Sequence, residues 1–142
     1  MYIRSIFTVI SFSLAVVFLS ACDNTLQIES KKPQNSTYAQ VTKVYTNLIE
    51  KSGWWVVPKD IHKLTIYVEA NNTETVLFWL IPTGTKTWDD RELIGYDINE
   101  SDGWSLEWDF GERTFHDHIY VQVLGNDSFS MDSATINVTS TE

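Results

Sequence analysis

The chain has 142 residues, with 10 Lys and Arg against 19 Asp and Glu, a formal charge of −9 and one cysteine. Its length suits one domain. The lone cysteine excludes an internal disulfide framework, a cysteine-based zinc cluster and a CxxC redox pair. The acidic balance argues against nucleic acid, whose phosphates need Lys and Arg. Six tryptophans supply material for a dense core.

Residues 1–21 have the layout of a secretory signal. Arg4 gives a positive start, an apolar run from Ile6 to Leu19 is broken only by Thr8, Ser11 and Ser13, and the small residues Ser20 and Ala21 follow. The run is shorter than the roughly 20 residues that span a bilayer. Leu19-Ser20-Ala21-Cys22 resembles the lipobox of bacterial lipoproteins. The resemblance implies cleavage between Ala21 and Cys22, a diacylglycerol on the Cys22 sulfur, and a membrane-anchored chain facing the extracytoplasmic side. A thiol suits that chemistry as the strongest side-chain nucleophile, and more than one acyl chain gives stable anchoring. Asp23 implies retention at the inner membrane if the envelope is Gram-negative and has no such meaning in a Gram-positive one.

Residues 22–40 are polar, with Lys31, Lys32, Pro33, Asn35, Ser36 and Thr37 close together. They read as the lipidated cysteine and a tether. A folded domain is expected over 41–142. Within it, residues 41–50 are compatible with a short helix or a first strand.

From Trp54 onward the pattern is that of strands. Leu64, Ile66 and Val68 alternate with Thr65, Tyr67 and Glu69. Asn71-Asn72 marks a turn, and residues 74–81 are apolar on both faces, as in a central covered strand. Pro82 and Gly84 end that run. Ile94, Tyr96 and Ile98 share a face, and the chain turns over Asn99 to Gly103. Trp104, Leu106, Trp108 and Phe110 alternate with Ser105, Glu107 and Asp109. Ile119, Val121 and Val123 form another face, Gly125-Asn126-Asp127 a turn, and Ala134, Ile136 and Val138 the last strand. About seven short strands punctuated by turns indicate an all-β sandwich.

Residues 62–139 resemble a bacterial immunoglobulin-like domain. The resemblance is carried by Leu64-Thr65-Ile66-Tyr67-Val68 as a B-type strand and Val76-Leu77-Phe78-Trp79-Leu80 as a C-type strand. Ser101 to Trp108 fits a hairpin with an E-type strand, and His118 to Val123 with Ala134 to Val138 fits an F–G pair. It implies a buried tryptophan at Trp79 and a spacer, adhesion or accessory role. The inter-sheet cysteine pair of antibody domains is missing, so burial alone must hold the core.

Chemical motifs are sparse. His116 and His118 stand at i and i+2, so a strand places both on one face with Tyr120 and Gln122. A zinc ion needs a third ligand, and His62, with the core-facing parity of Leu64, does not supply it. Asp97, Asn99, Glu100 and Asp102 invite a calcium loop, but Asp102 and Trp108 occupy the positions where an EF-hand needs glycine and glutamate. Asp89, Asp90 and Glu92 lie in a polar segment, and no hydrolase, P-loop or dinucleotide fingerprint occurs. No catalytic residue, metal or cofactor is therefore expected. Trp79, Trp104 and Trp108 read as core. Trp54-Trp55 must point to opposite faces, so one of them, together with Trp88, is a candidate binding surface. The expectation is a lipid-anchored, non-enzymatic binding or spacer domain meeting an envelope protein or cell-wall glycan. A carbohydrate-binding module using the exposed tryptophans is the alternative, and a small hydrolase the distant third.

Overall fold

The computed structural model describes residues 37–84 and 88–141. The expected signal, Cys22 and most of the expected tether lie outside them. The strands are β1 (Gln40–Thr46), β2 (Ile49–Lys51), β3 (Trp54–Val57), β4 (Lys63–Asn71), β5 (Thr73–Pro82), β6 (Glu92–Asp97), β7 (Trp104–Asp109), β8 (His116–Gly125) and β9 (Met131–Ser140). They form a three-stranded sheet, β1-β4-β7, and a six-stranded sheet, β2-β3-β9-β8-β5-β6. The fold is an all-β sandwich. In it β4 pairs with β7, β5 with β8 and β8 with β9, all antiparallel.

Nine strands are present rather than about seven, because the segment 41–50 is two strands and not a helix. The chain changes sheets between them. Asn47 Oδ1 accepts the Thr65 N–H at 3.0 Å and holds the end of β1 to β4, and Thr46 Oγ1 accepts the Leu48 N–H at 3.1 Å where the chain turns out of that sheet. A two-residue turn at Ser52 and Gly53, both at positive φ (52° and 81°), then closes the β2–β3 hairpin. β3 runs parallel to β9.

The core lies between the sheets. Leu64, Ile66 and Val68 from β4 face Val76, Phe78 and Leu80 from β5 and Ile119, Val121 and Val123 from β8, and all of them are buried. Trp108, Phe110 and Phe115 meet edge to face at centroid distances of 4.9–5.8 Å, a favoured aromatic geometry. Trp104 is buried, and Trp108 packs against the core from its margin.

Two expectations about parity change. Phe78, not Trp79, enters the core, so Trp79 lies on the outer side of β5. Both faces of β5 are apolar, and alternation therefore had no polar residue to mark the outside. Tyr96 in β6 and Ile98 just after it are exposed, while Ile94 packs on the core. A register shift opposite Phe78 and Trp79 breaks the alternation there. Gly95 sits at that shift because a Cβ would collide with the Leu106 side chain of β7.

Candidate functional site

The two outer faces differ in chemistry. On the three-stranded sheet the outward positions are charged and paired: Lys63 reaches Glu107 at 3.4 Å and Asp109 at 3.8 Å, and Lys43 reaches Glu69 at 3.6 Å. The neutral Thr65 and Ser105 and the stacked Tyr45 and Tyr67 rings, 5.1 Å apart, complete this ordinary solvated surface.

Across the outward strand positions of the six-stranded sheet the described residues place one carboxylate, Glu74, exposed at the β5 bulge opposite Leu124. β8 presents His116, His118, Tyr120, Gln122 and Leu124, opposite to its buried Ile119, Val121 and Val123. Register with β8 places Thr75, Leu77, Trp79 and Ile81 of β5 and Met131, Ser133, Thr135, Asn137 and Thr139 of β9 on the same side. β6 adds Leu93 and Tyr96, and the β2–β3 hairpin adds Lys51 and Trp54. The chain has 19 acidic residues, so a face with one carboxylate across six strands is a marked segregation of charge.

At one end of this face the side chains form a connected set. The Trp54 indole lies flat on the His116 imidazole, with centroids 4.6 Å apart and 7° between planes, and His118 is 6.2 Å away. Asn137 Nδ2 donates to the Gly53 carbonyl at 3.0 Å, which leaves its Oδ1 to accept from His118 Nδ1–H at 2.8 Å. His118 Nε2 then faces Thr83 Oγ1 at 3.5 Å. Toward the other edge, the Arg91 guanidinium lies 4.7 Å over the Trp79 ring, a cation–π contact. The Trp79 indole Nε1–H beneath it is buried and has no hydrogen-bond partner.

Trp54 and Trp55 are both half-buried; Trp54 belongs to the outer face, and Trp55 pairs with the buried Val138 on the inner parity. Trp88 opens the 3₁₀ turn Trp88–Asp90, and its side chain lies outside the described residues. His116 and His118 do share a face. His62, by contrast, precedes β4, is exposed, and binds the Gly111 carbonyl at 3.1 Å, so its expected core-facing parity does not hold. Among the described residues no three His, Cys, Asp or Glu are grouped to hold a metal.

The acidic segment at 97–102 is a self-satisfied turn. Asp97 accepts the Asn99 and Ser105 N–H groups, each at 2.9 Å, and Asp102 accepts from Asn99 Nδ2 at 3.0 Å. Asp89 and Asp90 are exposed, and Glu92 turns to Arg113 at 3.5 Å. Sequence reasoning found His116, His118 and Trp54 but not the face they belong to. Its signal was the absence of acids at alternate positions in several strands, visible only once those strands are known to be neighbours. No family model matches the chain, and no curated protein is significantly similar to it.

Proposed function

We propose that this is a lipid-anchored envelope protein whose immunoglobulin-like domain binds a partner, without catalysis, through the outer face of the six-stranded sheet. The observation that carries this reading is the aromatic and amide-rich face, with the single carboxylate Glu74 at its β5 bulge, on a chain of charge −9. A solvated surface of such a chain would be charged, as the opposite sheet is. Aromatic and Arg side chains also dominate interface energetics.

The partner that fits is another envelope protein. Trp54 already has His116 on its ring and Trp79 has Arg91, so both indoles give up a flat surface on which a sugar would stack. A glycan reading would lean on Trp88 instead.

The test uses a Cys22→Ser mature chain, soluble for want of an anchor, added to isolated envelopes. Binding should fall at least about tenfold, or 1.4 kcal/mol, when Gln122 and Thr135 both become Glu, and stay unchanged when Thr65 and Ser105 do. Protease-treated envelopes should lose the binding. Loss only after glycan hydrolase treatment would replace the protein partner by a glycan, and indifference to the Gln122/Thr135 change would refute the face.

A further inference from the structure

Phe129 is the most exposed large apolar residue among those described, at 89%. It stands at the tip of the β8–β9 hairpin on a rigid turn. Asp127 Oδ1 accepts three hydrogen bonds there, from the Ser130 N–H at 2.8 Å, the Phe129 N–H at 3.0 Å and Ser130 Oγ at 2.8 Å. The Gly125 N–H closes the loop onto the Ser130 carbonyl at 2.8 Å. A Cβ at Gly125 would strike Ser130 Oγ and Asp127 Oδ1, so only glycine allows this closure. A phenyl ring held out in water on a pre-ordered loop gains free energy when something covers it, at little further ordering cost.

The same pole receives the N-terminal chain. Ser130 Oγ accepts the Ala39 N–H at 2.8 Å, and Asn72 Nδ2 donates to the Tyr38 carbonyl at 3.1 Å. Asn126 N–H in turn donates to the Asn72 carbonyl at 3.2 Å. Tyr38 and Met131 are 65% and 64% exposed, so three apolar groups crowd the point where the chain joins the sandwich. Fourteen residues lie between Cys22 and Thr37, so the fifteen steps from one to the other reach at most about 54 Å.

We infer that Phe129, with Tyr38 and Met131, is a membrane-contact tip that seats the anchored domain on the bilayer interface. The inference rests on the lipid anchor proposed above. An acyl group on Cys22 would keep the domain within tether reach of the membrane, at a high local concentration that makes a weak contact effective. Aromatic rings favour the interfacial layer. No Lys or Arg occurs from Gly125 to Asp132, while Asp127 and Asp132 do, so the contact rests on the apolar side chains and gains nothing from anionic lipid. Seated this way, the long sheet faces stand clear of the membrane and leave the six-stranded face open.

The test uses full-length acylated protein in phosphatidylcholine vesicles. Asn126→Cys near the tip, or Glu112→Cys in the β7–β8 connection, supplies one free thiol for a polarity-sensitive fluorophore. The probe at 126 should be shielded from an aqueous quencher while that at 112 is not, and 0.5 M salt, about enough to halve the Debye length, should not matter. Phe129→Ser should shift the docked-to-free ratio about tenfold without releasing protein from the vesicles. Equal quenching at both positions in an anchored chain would overturn the tip alone. Failure of the wild type to float with vesicles would overturn the anchor and the tip together.

Discussion

The indole of Trp54 and the imidazole of His116 are parallel to within 7° and 4.6 Å apart, although their strands are separated by β9. This stack ties the β2–β3 hairpin, which has only three residues in its outer strand, to the centre of the six-stranded sheet. If the contact stabilises that hairpin, Trp54→Ala and His116→Ala will be coupled by about 0.5–1.5 kcal/mol in a double-mutant cycle of urea unfolding. Additive costs would show two rings lying near each other to no effect.

The placement of β7 is tested by two adjacent residues. Leu106 packs on the core opposite Ile66, while Glu107 points out to Lys63. Leu106→Asp puts an unpaired carboxylate against the core and should cost at least about 2–3 kcal/mol. Glu107→Lys removes an exposed ion pair and should cost about 1 kcal/mol or less. Equal unfolding midpoints would contradict the parity of this strand.

The hairpin tip should respond to acid. Ser130 and Phe129 N–H bonds, with Ser130 Oγ, hold the Asp127 carboxyl below its ordinary range. A depressed folded pKa stabilises the tip above the ordinary aspartate value of about 3.9, and that contribution is lost as pH falls through the lower folded value. Amide exchange at Phe129 and Ser130 should therefore remain protected at neutral pH and loosen, relative to β8, only in strong acid. Asp127→Ala should be unprotected throughout and show no such pH step. A step in that variant would assign the transition to another group.

Anchoring has its own readout. In bacteria, the chain should incorporate labelled fatty acid, and Cys22→Ser should abolish the label and leave the signal poorly processed. Equal labelling of the two would remove the lipid from this account.

Much of the sandwich is legible because alternation survives wherever one face of a strand is polar. The β4 run Leu64, Ile66 and Val68 and the β8 run Ile119, Val121 and Val123 face inward as their period demands. Legibility fails at Trp79, where the outer face is itself apolar and period two has nothing to contrast. It fails again at Tyr96, because a register shift resets parity within β6. The strands in 41–50 were hidden by a sheet change held by Thr46 and Asn47 side chains, a tertiary event with no periodic signature. The candidate face was half visible. His116 and His118 announced a shared side, but Trp54 joins them only through the parallel β3–β9 pairing, which no local pattern encodes.

The central claim concerns which face meets a partner, and photo-crosslinking in intact cells measures that directly. A crosslinking residue at Gln122, in the middle of the six-stranded face, is compared with one at Glu107 on the opposite sheet. The account predicts a discrete protein adduct from position 122, lost when Thr135 is changed to Glu, and none from position 107. An adduct from position 107 alone, or none from position 122 in properly anchored protein, would contradict it.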